Sequence, residues 1–163
     1  MVVTITLYKD ELWSDISSVA YMIGRRVSNA ENIDKAADIQ SPKEETSRFV
    51  VFRLMEKACS NIRRVCARYL TTGRLVDNNA LEPERQDFVF VLNMPDSWNP
   101  GITQNLTDQM HDYILYYCVA GFLEKTFPEE STIYTEKALA AFTEIKPLLE
   151  LRTRPVRRKP SWL

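Results

Sequence analysis

Residues 41–73 read SPKEETSRFVVFRLMEKACSNIRRVCARYLTTG, and this stretch decides the fold class. Ser41 with Glu44 three residues on forms a capping box, and Pro42 stands at the first helical position, where its missing N–H costs nothing. Gly73 supplies a stop. Between these ends Phe52, Met55, Cys59, Ile62, Cys66 and Tyr69 recur by alternating steps of three and four. Leu54, Val65 and Leu70 widen the stripe. The pattern predicts one long helix with its seam in the core, too short in heptads for a coiled coil. Cys59 and Cys66 fall inside the seam as small hydrophobes.

Working outward toward the N-terminus, VVTITLYKD alternates Val3, Ile5 and Leu7 with Thr4, Thr6 and Tyr8, the period of a half-buried strand. Leu12, Ile16, Val19, Ala20, Ile23 and Val27 then predict a helix, with Asp10 as its cap and Arg25 and Arg26 in its last turn. Residues 28–40 are polar and weakly periodic, a loop.

Toward the C-terminus, turn residues 76–86 lead into DFVFVLNMP, a strand with Phe88, Phe90 and Leu92 on one side and Val89 and Val91 on the other. Apolar on both sides, it is expected to be covered on both. Two strands need support, so they either pair on the helices or extend a neighbour's sheet. A further helix over 103–126 is apolar nearly all round in its second half and should be buried there. Pro128, Glu129 and Glu130 open a last helix that directs Ile133, Ala138, Phe142, Ile145, Leu148 and Leu149 inward, with a kink or restart at Pro147. The expected architecture is mainly α: about four helices in a bundle, one short two-stranded β element, and an extended C-terminal arm. Residues 1–151 form the helical domain and residues 152–163 the arm.

At 163 residues and 45% apolar, the chain is large enough for one core without staples. Its longest apolar run, Tyr113 to Leu123, is well under the ~20 residues of a membrane span. Three cysteines and no basic segment ahead of the first apolar residues suggest an intracellular chain with reduced thiols.

Chemistry is sparse. Asp108, the single histidine His111, and Asp112 fall at i, i+3 and i+4 on one predicted helix, and one imidazole with two carboxylates leaves a transition-metal site short of ligands. They read as polar residues on a solvated face. Cys118 lies two turns from His111, out of reach for a Cys–His pair. The four glycines form no phosphate cradle. Tyr113, Tyr116 and Tyr117 point around their helix and read as packing residues, not as a base-stacking platform. The expectation is a protein that is not an enzyme, with no catalytic residue, metal, cofactor or small-molecule substrate. Trp98, in the loop DSWNPG, is either folded back on the domain or offered to a partner.

With these pieces in place, the start TITLYKDELWSDISSVAYMIG, the strand ending VLNMPDSW before a long helix, and the close RTRPVRRKPSWL resemble small helical virion proteins of tailed bacteriophages, those of the head–tail connector or neck. The resemblance implies a non-enzymatic subunit of an oligomeric ring, assembled in the host cytoplasm, with virion partners such as portal or tail components. The tail meets that expectation. The net charge is −1, and the segment after Leu151 holds five cations and no acid, so residues 1–151 carry −6. Pro155 and Pro160 favour extended geometry, and twelve residues at about 3.1 Å each reach roughly 35–40 Å, enough to cross a neighbouring subunit. Arg152, Arg154, Arg157, Arg158 and Lys159 would pair with an acidic neighbour, and Trp162 and Leu163 would fill an apolar pocket. The alternative is a DNA-binding accessory protein that grips phosphates through the same cations.

Overall fold

The structure, a computed structural model, describes residues 1–28, 45–71 and 87–153. The capping box Ser41/Glu44, Pro42, Gly73, the predicted loop and turn segments, and Arg154, Arg157, Arg158, Lys159, Trp162 and Leu163 lie outside them. The described elements are β1 (Val2–Leu7), α1 (Lys9–Ser28), α2 (Glu45–Cys66), β2 (Phe88–Asn93), a 3₁₀ turn (Pro100–Ile102), α3 (Thr103–Leu123) and α4 (Pro128–Glu150). The protein is mainly helical, with one short antiparallel sheet.

α3 is the centre. Leu106, Met110, Tyr113, Ile114, Leu115, Cys118, Val119, Ala120 and Leu123 are buried around its whole circumference, so no single neighbour could cover it. α4 makes the broadest contact with it, and α2, α1 and β1 take the remaining sides. The seam on α2 is buried from Phe52 through Cys66, with Ile62 at 0% exposure. Leu54 and Val65 are half-buried at its margin and pack against the core.

The two strands pair within the chain, in register Val2↔Asn93 through Leu7↔Phe88. Ile5, Leu7, Phe88, Phe90 and Leu92 line the buried face. The other face is open. Val89 and Val91 are 46% and 37% exposed, where cover on both faces was expected, because α2 and α3 pack on the side that carries the phenylalanines.

α2 stops at Cys66, seven residues before Gly73. Tyr69 N–H and Leu70 N–H both donate to the Cys66 carbonyl, and the chain then turns onto the free edge of β2. Thr71 N–H donates to Val91 O, and Asn93 N–H donates to Tyr69 O. A central strand with both edges paired satisfies more backbone groups than another helical turn would.

The start of α1 is also capped from afar. Lys9 N–H donates to Asp87 Oδ1 at 3.1 Å, so Asp87, not Asp10, fills an orphan position of the first turn. The Lys9 side chain is buried, with Nζ 4.7 Å from the Phe52 ring centre and 5.4 Å from that of Phe88. Two aromatic faces offset part of the cost of removing that charge from water.

α4 runs unbroken through Pro147 to Glu150. Pro147 and Thr143 are both exposed, so water can take the Thr143 carbonyl that proline leaves without its helical donor. Ile133, expected inside, is 47% exposed, on the side of the helix that carries Glu129 and Glu136. The rest of the expected inward set holds: Ala138, Ile145 and Leu149 are buried and Phe142 and Leu148 are half-buried against the core, with Ala141 joining the buried stripe.

Ile62 sits where α2 meets the core, so Ile62→Ala is expected to cost about 2–5 kcal/mol in urea unfolding. A loss below about 0.5 kcal/mol would show that the seam is not the core contact described.

Candidate functional site

The C-terminal helix end and the 94–99 loop form one interlocked corner. A helix leaves its last four carbonyls without intrahelical donors. Trp98 supplies one: its Nε1–H donates to Leu148 O at 2.9 Å. The indole is 1% exposed, so it is folded back on its own domain and is not a surface anchor for a partner. Its amphipathic ring explains the placement, since the apolar body fills the core while the N–H meets the helix end. The chain then exits as a short extended segment against the same loop. Asn99 N–H donates to Leu151 O, and Thr153 N–H donates to Ser97 O at 2.9 Å. The Thr153 hydroxyl donates to the same carbonyl, and Arg152 Nη1 donates to Ser97 Oγ at 3.0 Å.

Arg152 was grouped with the arm, but it belongs to this corner. Of the arm residues, the described part of the structure therefore contains only the root, and that root is tied to the body.

His111 is not on an open face. It is half-buried between α3 and α1, with Nε2 3.3 Å from Asp15 Oδ2 and Nδ1 3.8 Å from Asp112 Oδ1. The Nε2 contact is close but misaligned for a hydrogen bond. Asp108 accepts from Gln104 Nε2 at 2.8 Å. Asp15 was invisible as a partner because it stands ninety-six positions away in sequence, on another helix. Among the described residues, no group of three or more His, Cys, Asp or Glu side chains is placed to hold a metal ion.

A groove of about 830 Å³ lies between α2 and α4, floored by α3. Leu54, Val65, Leu139 and Phe142 make its apolar walls, and Lys57 and Arg64 stand on the α2 side. Tyr113 packs 4.7 Å from Phe142, centre to centre, and its hydroxyl accepts from Asn61 Nδ2 at 3.0 Å. Burial raises its phenol above the usual value. At Gly121, α3 lies hard against α2: a Cβ there would stand 2.9 Å from the Leu54 methyls. The tyrosines on α3 are thus packing residues: Tyr113 stacks with Tyr117 and Phe142, and Tyr116 with Tyr134.

The three cysteines are free and buried. Burial pushes Cys59 and Cys66 from 9.0 to about 12 and raises Cys118 as well. Such thiols stay protonated and unreactive near neutral pH. No helix among the described residues is long and apolar enough to cross a membrane. No family model matches the chain, and no curated protein or solved structure matches it either.

Two expectations follow. Trp98→Ala should cost about 3–5 kcal/mol by removing a buried ring, and Trp98→Phe about 1–3 kcal/mol by leaving the Leu148 carbonyl without its donor; urea unfolding reads both. The thiols should react with an aromatic disulfide at pH 8 only on unfolding. Their raised folded values mean the native chain holds protons that the unfolded chain releases. Their contribution to stability is therefore complete below about pH 9 and falls as pH rises toward 12.

Proposed function

We propose that this chain is a non-enzymatic structural subunit of an oligomeric ring in the head–tail connector or neck of a tailed-bacteriophage virion. Its C-terminal arm binds a neighbouring subunit or a partner ring. One observation carries the reading: the root of the arm, Leu151 to Thr153, is held by hydrogen bonds to the 97–99 loop. An arm that leaves from a fixed point with a fixed direction loses less freedom on docking than one that leaves from a frayed helix end. Beyond Thr153 remain Arg154, Arg157, Arg158 and Lys159, then Trp162 and Leu163. These supply cations for an acidic neighbour and an apolar terminus for a pocket. The body is the acidic surface available to such an arm in another copy.

The DNA-binding alternative uses the same cations without Trp162. Four phosphate contacts would give a log–log salt slope near −3.6, from about −0.9 per phosphate.

The test is truncation after Thr153, which preserves the interlocked corner. The expected product is a folded monomer that no longer enters the oligomer, read by light scattering and negative-stain imaging. Trp162→Ala alone should weaken assembly by about 2 kcal/mol. Wild-type assembly without residues 154–163 would refute the arm. Loss of duplex-DNA affinity on truncation, with the steep salt slope and no dependence on Trp162, would favour the alternative.

A further inference from the structure

Two helices carry opposite charge on their exposed sides. α2 holds five cations, Arg48, Arg53, Lys57, Arg63 and Arg64, against Glu45 and Glu56. Arg48 lies over the Trp13 and Phe52 rings, and Arg63 over Phe90. Arg53, Lys57 and Arg64 remain. At 100° per residue they fall within about 40° of one another on the exposed side. α4 holds five acids against Lys137 and Lys146. Lys137 is drawn over Tyr116 and Tyr134, and Glu130 pairs with Arg26 across to α1. Of the four left, Glu150 is the helix's last residue, and Glu129, Glu136 and Glu144 are exposed within about 80° of one another, with Ile133 among them.

The two stripes share a spacing. Lys57 and Arg64 are seven residues apart, as are Glu129 and Glu136, which is about 10.5 Å along each axis. Within one chain the stripes do not meet. Among the described residues, no opposite charge lies within 4 Å of Arg53, Lys57, Arg64, Glu129, Glu136 or Glu144. The 830 Å³ groove separates the two helices.

We infer that the basic stripe of α2 in one copy docks on the acidic stripe of α4 in the next, a head-to-tail contact between copies of this chain. The inference rests on the oligomeric reading proposed above and names its interface. Opposite stripes at one repeat attract in register, whereas α2 against α2, or α4 against α4, sets like charges face to face. A contact between two different surfaces of one protein generates a ring or a filament. Exposed Val50, one heptad before Lys57, and exposed Ile133 place apolar surface on both sides of the contact.

The test uses the full-length chain and four proteins: wild type, Lys57→Glu/Arg64→Glu, Glu129→Lys/Glu136→Lys, and the combination of all four substitutions. Size-exclusion chromatography with light scattering reads their mass against concentration. Circular dichroism melts establish that each is folded, and Lys57→Gln/Arg64→Gln replaces the first reversal if it is not.

Each double reversal should raise the concentration needed for assembly about tenfold or more, because it sets like charges opposite one another. The combination should return to near wild type, since opposite charges face each other again. At ~1 M salt, where screening acts over about 3 Å, the differences should collapse.

A wild-type chain that stays monomeric overturns the ring reading and this interface together. A wild-type oligomer that neither reversal weakens overturns the interface alone. Loss on reversing α4 but not α2 means that the acidic stripe receives another element, such as the arm, and also overturns it. If Lys57→Glu/Arg64→Glu instead abolishes binding to a labelled DNA duplex while the mass is unchanged, α2 is a phosphate surface and the inference fails.

Discussion

A helix that is apolar on every side cannot stand at a surface, and α3 imposes that constraint on everything around it. Its buried residues include Leu106, Ile114, Leu115, Val119 and Leu123, which no one face could contain. The other helices need bury only one stripe each, and they are arranged as covers. Gly121 fixes how near the α2 cover can come, because Leu54 occupies the space a side chain would need. With α2 held there, α4 packs along the neighbouring side of α3, and the groove lies where the two covers diverge over it.

The covers are joined by hydrogen bonds between segments distant in sequence. Asp87 caps α1 across seventy-eight positions, and the Trp98 indole caps α4 across fifty. Residues 69–71 complete the ladder on β2. Each bond meets a backbone group that an element's end leaves unpaired, and an unmet buried group costs about 1–3 kcal/mol. The short sheet and the loop after it therefore serve as the fastening between the first and last helices. Such fastening explains why a two-stranded ribbon, marginal by itself, is stable here.

The sequence made the periodic elements legible and left the fastening hidden. The seam from Phe52 to Cys66, the alternation at Ile5 and Leu7, and the all-round apolarity of α3 announce themselves through spacing alone. The end of α2 at Cys66 does not, because the competing partner, the edge of β2, lies more than twenty residues on. Asp10 looked like the cap because caps are usually local; Asp87 fills that role from the far side of α2. Ile133 broke the inward pattern for a related reason: hydropathy ranks residues, but the small Ala138 and Ala141 are what let α4 approach α3. In the candidate site, Trp98 was undecidable from its loop, since a tryptophan among breakers is equally at home in a core or at an interface. Its partner, a helix-end carbonyl, has no signature in sequence. Residue counts also hid the opposed stripes, because a net charge of −1 averages a basic α2 against an acidic α4.

That averaging has an energetic consequence for the proposed ring. Ion pairs between exposed side chains contribute roughly 0–1 kcal/mol each and weaken with salt. Two or three pairs between α2 and α4 therefore orient a neighbour without holding it. An arm carrying Trp162 and Leu163 would have the reverse character: its apolar side chains can hold, but two such contacts specify little register. Joined through a root fixed by Ser97 and Asn99, the two would act as one bivalent contact. Docking of the stripes would then raise the effective concentration of the arm at its site, and seating of the arm would keep weak pairs in register. Closure of a ring multiplies the contact once more, because removing one subunit breaks two interfaces. On that account contacts that are each weak can form a stable assembly, provided that they engage together.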